Sequence, residues 1–384
     1  MATHPGIAAL HPSPYGVNSH VAPDELLAEL ARIGVRWHRI DVDWDLIEPA
    51  EGEHDWRELD RVVAATQTLG LSPLASVAYT PGWASGTGNR ASPPRDPSKY
   101  HGFVRSVAQR YRNQIGAIGI WNEPNLGQFF AGTQAQYIDD ILVPGLQVVR
   151  EFPELATAGP DLSSSGNPLG DWLAPILDAA GSLLDVIAHH QYDGQDTVPG
   201  RVAAIERLHD FLVARGYGDR QLWITEIGWD RVTPQQQAER LRDVMHAMRA
   251  RPWWNKTFWY DSHGVGWGLF EADTSPNPGA PKPAFGAYRE VIAESTMPNF
   301  RHVVTLAYQE ILMRLPDPAG LEHYNSLMND GLTEGQMREA LLRSPEFATR
   351  FPSLRAARAA ARGKRGARQA GARRAGARSA ASRR

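Results

Sequence analysis

Two glutamates in this chain each follow a short apolar run. Glu123 lies in the segment IGIWNEPN (118–125), where a proline ends the run, and Glu226 lies in LWITEIGW (222–229). Two carboxyl groups that face each other across a glycosidic bond can hydrolyse it, because one attacks carbon while the other moves the proton. We expect this chemistry if the fold brings the two side chains together.

A barrel of alternating strands and helices would place both glutamates at one mouth. Strand-like runs alternate with helical segments from residue 15 to about residue 290, which is typical of parallel α/β architecture. About 275 residues for eight units fits a (β/α)8 TIM barrel of ~250 residues, and no GxGxxG motif follows the first strand to favour a doubly wound sheet. The predicted strands are Tyr15–Asn18, Trp37–Val42, Leu71–Tyr79, Ala117–Asn122, Ala156–Gly159, Val186–His190, Leu222–Glu226 and Thr257–Tyr260. The clearest predicted helices are Pro23–Ile33, Trp56–Leu69, Lys99–Tyr111 and Thr233–Arg249.

In this count the two glutamates end strands 4 and 7. Active sites of such barrels lie at the carboxyl ends of the strands. Strands 4 and 7 stand on opposite sides of an eight-stranded barrel, so their terminal side chains can face each other across its mouth. The sequence therefore predicts Glu123 and Glu226 as a catalytic pair.

Four segments together resemble one group of enzymes. The motifs WNEPN and TEIGW, with VRWHRIDVDWDLIEP and YTPGWAS upstream, are similar to those of clan A glycoside hydrolases, nearest to families 39 and 5. The resemblance covers about residues 15 to 290. It implies a retaining mechanism on a β-linked sugar, with Glu123 as acid/base and Glu226 as nucleophile.

The resemblance also implies supporting residues around the pair. Asn122 would bind the sugar 2-hydroxyl, and Arg39 at the end of strand 2 would support the nucleophile. His190 or Tyr192 on strand 6 would lie near the nucleophile, and Trp259 on strand 8 would form the floor of a sugar subsite.

Position along the chain adds four further candidates for substrate binding. Asn18 and His20 end strand 1 and are either sugar contacts or ordinary loop polar residues. Trp83 follows strand 3 in a Pro-Gly turn, where it could stack on a sugar or simply pack. Trp267 lies in the long loop after strand 8, which could shape the subsites.

We expect neither a metal nor a cofactor. The chain has no cysteine, no HExxH motif and no acidic calcium loop. His189 and His190 are neighbours on a strand and point to opposite faces, so they cannot readily bind one ion together. The serines at 163–165 lack the GxSxG context of a nucleophilic serine.

A second region follows the barrel. Residues 296–302 resemble a linker, and the segment Tyr308–Phe347 resembles a small helical domain of unknown function, DUF 4214, through RxPDPAGLxxY and LLxSPEF. The predicted organisation is an N-terminal extension (1–14), the barrel (15–295), a small all-α module (301–350) and a disordered tail (351–384).

The tail separates the charges of the chain. Net charge is −3, and residues 355–384 hold ten arginines and one lysine without an acid, so the remainder carries −14. Such Ala/Arg/Gly composition favours disorder. The tail could contact an anionic polymer, or it could be solvated without a specific partner.

Other sequence features set expectations about location and assembly. No run of 18 apolar residues is present, so we expect no membrane span. The N-terminus lacks the basic and apolar regions of a secretory signal, so the protein is either cytoplasmic or exported with a leader not shown. We expect a monomer.

Taken together, these features predict a retaining glycoside hydrolase that cleaves an oligo- or polysaccharide by double displacement. A transglycosylase would use the same residues, with an acceptor sugar in place of water. A non-catalytic carbohydrate-binding or scaffold protein would instead retain the barrel alone, although both glutamates are present.

Overall fold

Eight parallel strands close into a barrel in sequence order, as predicted. The computed structural model describes residues 5–8, 10–193, 196–272, 279–296, 300–329 and 332–352. The strands are β1 Tyr15–Asn18, β2 Trp37–Asp43, β3 Ser72–Ala78, β4 Ala117–Ile120, β5 Ala156–Ser163, β6 Val186–His190, β7 Gln221–Ile227 and β8 Lys256–Trp259. The predicted (β/α)8 fold is therefore confirmed.

Helices follow the strands and cover the outside of the barrel. In this first unit they are α1 Pro5–Ala8, α2 Asp24–Arg32, α3 Trp44–Ile47, α4 Arg57–Leu69, α5 Gly82–Ser85, α6 Pro97–Tyr111, α7 Gln134–Gln136, α8 Val143–Val149, α9 Ala174–Ala180, α10 Val198–Ala214, α11 Pro234–Arg249 and α12 Pro283–Thr296. Two π-helical turns, Tyr137–Leu142 and Leu169–Leu173, lead into α8 and α9. Helices α10 and α11 begin after Thr197 and Thr233, whose side chains accept hydrogen bonds from backbone amides of the first turn.

Side chains of very different size fill the closed end of the barrel. Trp37, Trp223 and Phe258 from β2, β7 and β8 pack against alanines of β4 and β5. Gly16 of β1 leaves room for this layer, because a Cβ there would lie 2.5 Å from Phe258 Cδ1. A larger apolar cluster lies between the strands and the surrounding helices. The strands are thus packed on both faces, inside the barrel and against the helices. This packing holds the side chains at the open end of the barrel in position.

Strand β5 continues beyond the predicted end at Gly159. Proline cannot donate to a strand ladder, which is why the sequence pattern ended the strand there. The structure accommodates Pro160 by an irregularity in pairing with β6 between Pro160 and Leu162. Asp161 lies at this bulge with a φ of 49°, inside the barrel wall.

The second unit comprises residues 295–384 and has its own apolar core. Its described helices are α13 Arg301–Leu312, α14 Pro318–Asn329, α15 Glu334–Arg343 and α16 Pro345–Arg350. Arg314 donates from Nε and Nη2 to the two oxygens of Glu346, at 2.6 and 2.8 Å. This bidentate pair joins the two motifs, RLPDPAG and SPEF, on which the family resemblance depends.

Some predictions of organisation lie outside the described residues. The predicted disordered tail (351–384) lies outside them from residue 353 onward, and so do residues 1–4 and 9 of the N-terminal extension. The bounds of the four predicted regions stay predictions. In the described part of the chain, no helix has the length and apolar character needed to cross a membrane.

Candidate active site

Glu123 reaches the barrel mouth through an unusual stretch of backbone. Strand β4 ends at Ile120, and Trp121 and Glu123 then adopt left-handed φ angles of 73° and 42°. Such conformations are costly for residues with side chains and tend to occur at functional sites. Trp121 is fully buried and donates from Nε1 to the Phe129 carbonyl at 2.9 Å, which secures the turn. The Glu123 amide donates to the Asp161 carbonyl at 3.0 Å.

Glu226 is held by three side chains. Arg39 donates from Nη1 to Oε1 at 2.9 Å, and the Tyr192 hydroxyl donates to Oε2 at 2.7 Å. His190 Nδ1 lies 3.5 Å from Oε1. The residue is only 8% exposed. Burial raises the pKa of Glu226, although the charges of His190 and Arg39 and the Tyr192 hydroxyl oppose that rise.

The two glutamates are close together. Ligand atoms of Glu123, His190 and Glu226 all lie within 4.8 Å of one another. His190 Nδ1 lies 2.9 Å from Glu123 Oε1, so the imidazole bridges the two carboxyl groups. Strands β4 and β7 thus bring their glutamates to face each other, which is the arrangement that the sequence predicts.

Arg39 organises one side of the pair. Besides Glu226, its guanidinium donates to Asn18 Oδ1 at 3.2 Å, Ser76 Oγ at 3.1 Å and Asn122 Oδ1 at 2.7 Å. Burial alone would lower the pKa of Arg39, but the charges of Asp161 and Glu226 raise it further above its normal range. Arg39 is therefore a fixed cation beside Glu226.

His190 carries a second positive charge. The ring is fully buried, which alone would lower its pKa. The charge of Glu226, the Asp161 carboxylate and the hydrogen bond to Glu123 outweigh burial and raise the pKa of His190 to about 9. At neutral pH the imidazolium therefore lies between the carboxyl groups.

An open cavity of about 590 Å³ lies above the pair, within the usual size range of ligand sites. Seven of the eleven site residues predicted from sequence line it, namely His20, Arg39, Asn122, Glu123, Tyr192, Glu226 and Trp267. Ten residues that were not predicted complete the lining, namely Asp41, Asp43, Ser76, Ala78, Tyr79, Gln128, Phe129, Ser163, Ser165 and Tyr260.

The rim beside β1 and β2 carries paired charges. His20 Nδ1 lies 2.7 Å from Asp41 Oδ2, and its Nε2 lies 3.5 Å from Asp261 Oδ2. Burial lowers the pKa of His20, but hydrogen bonds to Asp261 and Asp41 raise it to about 10. Asp43 pairs with Arg90 at 2.6 Å. The cavity wall here presents carboxylates whose charge is partly balanced by these cations.

One of the predicted tryptophan contacts is wrong. Trp259 is fully buried and packs on Trp229 with ring centroids 6.0 Å apart, so it cannot touch a sugar. The next residue, Tyr260, lines the cavity instead, because neighbouring strand residues point to opposite faces. Trp83 is half-buried and donates from Nε1 to the Glu48 carbonyl at 2.8 Å, and its role as a sugar contact stays a prediction.

Another predicted substrate contact, Asn18, lies behind the cavity. Asn18 is 1% exposed, and its Nδ2 donates to the Thr225 carbonyl at 2.8 Å while its Oδ1 accepts from Arg39. It therefore supports Arg39 and does not contact substrate. His190 lies 3.5 Å from Glu226 Oε1 and 2.9 Å from Glu123 Oε1, near the nucleophile as the resemblance implies, and contacts both carboxyl groups.

Asp161 was not predicted as a site residue. It is 1% exposed, and its Oδ1 lies 3.4 Å from His190 Nε2. The sequence feature that could have indicated it is an aspartate that directly follows Pro160 within an apolar segment. It is meaningful because an ionised carboxylate is rarely buried without partners.

The only metal-like cluster in the described part of the chain is Glu123, His190 and Glu226. The atoms that would bind a metal ion already pair with one another or with Arg39. A protonated imidazole has no lone pair for an ion, and the Arg39 cation lies 2.9 Å from Glu226 Oε1. The donor set therefore fits an ion-paired dyad better than a metal centre.

Two family models match segments of the chain. Residues 95–280 match the family model described as "Glycosyl hydrolase catalytic core", and residues 292–351 match "Domain of unknown function (DUF4214)". No curated protein sequence matches the chain.

Solved structures share the barrel fold. One is a family 39 glycoside hydrolase from the gut symbiont Bacteroides cellulosilyticus WH2, with a TM-score of 0.59 and 21% identity over 73% of this chain and 63% of that chain. This protein thus spans less than two thirds of that relative's length. Another is a GH5_18 from Streptomyces cattleya in complex with GlcNAc, with a TM-score of 0.57 and 17% identity over 75% of this chain and 82% of that one. A third is an endo-beta-1,4-glucanase from Xanthomonas axonopodis pv. citri, with a TM-score of 0.56 and 16% identity over 74% and 99%.

The family match extends from before β4 to beyond β8 and includes both glutamates. Residues 95–280 are therefore similar to a glycosyl hydrolase catalytic core, and residues 292–351 are similar to a DUF4214 domain.

Proposed function

We propose that this chain is a glycosidase that retains anomeric configuration and cleaves β-linked sugars, with Glu226 as nucleophile and Glu123 as acid/base. One observation carries the proposal: one carboxyl oxygen of Glu123 lies within 4.8 Å of one carboxyl oxygen of Glu226, so the two groups lie near each other. Retaining enzymes hold their carboxyl groups ~5–5.5 Å apart, whereas inverting enzymes need ~6.5–9.5 Å to admit a water. The separation favours direct attack by a carboxylate.

In the first step, an oxygen of ionised Glu226 forms a bond to the anomeric carbon. The bond from that carbon to the glycosidic oxygen breaks, and its electron pair goes to the oxygen, which takes the proton of Glu123. Arg39 and Tyr192 orient the attacking carboxylate through their hydrogen bonds. The products of this step are a leaving alcohol, a glycosyl ester on Glu226 and an ionised Glu123.

In the second step, Glu123 removes a proton from water while the water oxygen bonds to the anomeric carbon. The ester bond to Glu226 breaks, and its electron pair restores the carboxylate. Two displacements at one carbon leave its configuration unchanged. Each glutamate therefore returns to its starting protonation state.

Several contacts around the cavity support sugar binding. Asn122 is held by Arg39 and by a 3.2 Å hydrogen bond that its Nδ2 donates to Tyr79, so its amide is preorganised at the mouth. Tyr260 and Trp267 meet edge to face with centroids 5.6 Å apart and offer apolar faces. The β linkage is proposed from the resemblance to clan A.

A second cavity of about 470 Å³ shares Asp41 and Asp43 with the catalytic cavity and includes the exposed side chains of Val21 and Leu46. It lengthens the surface that a sugar chain could occupy. This supports an oligo- or polysaccharide as substrate. Contact of the basic tail with an anionic polymer, and a monomeric state, stay proposals.

Proton NMR of the first product tests the mechanism. Aryl β-glycosides and β-glycan polymers should be screened with the wild type, Glu226→Gln and Glu271→Gln. Glu271 is an exposed glutamate outside the cavity lining, so its substitution is the matched control. We expect the β-anomer to form first with the wild type and the control, and no turnover by Glu226→Gln. First formation of the α-anomer, or full activity of Glu226→Gln, would contradict the proposal.

A further inference from the structure

Asp161 is a buried acid for which the proposed reaction has no use. It lies at the β5 bulge, is 1% exposed and faces Gly119 of β4. A Cβ at Gly119 would lie 3.1 Å from Asp161 Oδ2, so the neighbouring strand leaves room for this carboxylate. Burying a charge without a counter-charge is strongly unfavourable. Its position therefore calls for a cationic partner.

Two cations meet this need: the nearby Arg39 charge, and His190, which lies at ion-pair distance. Asp161 Oδ1 lies 3.4 Å from His190 Nε2 and accepts a hydrogen bond from the Thr225 hydroxyl. The opposite ring nitrogen, Nδ1, lies 2.9 Å from Glu123 Oε1. The Asp161 carbonyl also accepts the Glu123 amide at 3.0 Å. One residue is thus joined to the acid/base through both backbone and imidazole.

The charged groups around His190 balance when it is protonated. Arg39 faces it from β2, Glu123 from the end of β4 and Glu226 from β7. Its other titratable neighbours are neutral at pH 7, because burial lowers the pKa of His189 to about 3 and raises those of Tyr137 and Tyr192 well above 10.

With Glu123 protonated, ionised Asp161 and Glu226 therefore balance the cations Arg39 and His190. After the first step, Glu226 has lost its charge to the ester and Glu123 has gained one. The balance is then unchanged. Removing the charge of Asp161 would leave an excess cation in both states.

We propose that Asp161 is a positioning residue that keeps His190 as an imidazolium and thereby holds the transferable proton of Glu123 on Oε2. This inference depends on the proposed role of Glu123. An imidazolium donates from both ring nitrogens, so His190 Nδ1–H occupies Glu123 Oε1 and leaves the proton to the other oxygen. A neutral His190 could instead accept the Glu123 proton at Nδ1, away from the substrate.

The test compares Asp161→Asn with the wild type in the full chain, across pH and leaving groups. Loss of a nearby negative charge lowers the pKa of His190, so the alkaline limb of kcat/KM should move down by about 1 unit or more. Proton donation matters most for poor leaving groups. We expect kcat/KM to fall at least ~10-fold for alkyl glycosides but only a few-fold for dinitrophenyl glycosides. An unchanged pH profile, or equal losses for both substrates, would overturn the proposal.

Asp185→Asn is the matched control, because Asp185 is also buried but accepts from the Thr157 amide at 3.0 Å, away from the catalytic pair. It should lower stability without moving the pH profile. Histidine NMR on the wild type, assigned with His190→Gln, tests the charge of His190 directly even if Asp161→Asn fails to fold.

An imidazolium at pH 7 is expected, and a neutral ring would overturn the role of Asp161. Full activity of Glu226→Gln would instead remove the proposed function. The failure of each idea is thus distinguishable.

Discussion

Among single residues, Tyr192 stabilises the proposed nucleophile Glu226 through one hydroxyl group. It donates to Glu226 Oε2 at 2.7 Å, whereas Oε1 is bound by Arg39. A hydrogen bond to a charged group contributes ~1.5–3 kcal/mol. Tyr192→Phe should therefore lower kcat/KM about 10- to 100-fold without unfolding the barrel.

The pH profile of Tyr192→Phe gives the sharper readout. Glu226 acts in its ionised form, so activity falls as pH drops through its pKa. The Tyr192 hydroxyl lowers that pKa, and its removal should move the acid limb to higher pH. Tyr217→Phe is the matched control, because its hydroxyl donates to the Leu177 carbonyl at 3.0 Å far from the cavity lining. An acid limb that stays in place would show that this contact does not tune the nucleophile.

Among the elements, the end of β8 places two consecutive aromatic residues in different environments. Trp259 is fully buried, and Tyr260 lines the cavity. Trp259→Ala should lower the free energy of unfolding by ~3–5 kcal/mol, as large core truncations do. Tyr260→Ala should leave stability nearly unchanged and raise KM about 5- to 10-fold through lost ring contacts. Urea unfolding and steady-state kinetics on both variants would separate the two tasks, and the reverse pattern would contradict the assignment.

The strands themselves were predictable because each is an apolar run between polar segments. All eight begin within one residue of their predicted start. The carboxyl ends of strands 4 and 7 followed from this count, and with them the juxtaposition of Glu123 and Glu226.

What the sequence could not supply was the direction of side chains near strand ends. The run TFWY (257–260) has no polar alternation, so its inward face is undetermined, and a one-residue error in phase exchanges the two faces. The hydrogen bond from the Trp83 indole to the Glu48 carbonyl could not be predicted either, because only the tertiary structure brings the two groups together. Asp161 was hidden because its strand continues past a proline through a bulge.

At the scale of the whole molecule, the chain contains two units with separate apolar cores. A chain that ends after residue 295 should therefore fold and turn over small aryl glycosides with kcat/KM within about 2-fold of the full chain, as for independent sites. Kinetics and calorimetry on both lengths would check this, with Glu226→Gln in each length as the inactive control. Loss of folding or of activity in the shorter chain would show that residues 296–384 are needed by the barrel.

The central claim assigns one role to each glutamate, and azide rescue tests it most directly. A glycine at either position leaves space for azide to reach the anomeric carbon. In Glu226→Gly, azide replaces the nucleophile in a single displacement, so the glycosyl azide should have inverted configuration. In Glu123→Gly, azide intercepts the glycosyl ester of Glu226, so its product should have retained configuration.

The measurement is the NMR configuration of the azide product from an aryl β-glycoside that the wild type hydrolyses. We predict loss of activity in both variants without azide, an α-azide from Glu226→Gly and a β-azide from Glu123→Gly. An α-azide from Glu123→Gly with a β-azide from Glu226→Gly would exchange the two roles. Undiminished activity of Glu226→Gly without azide would contradict the mechanism altogether.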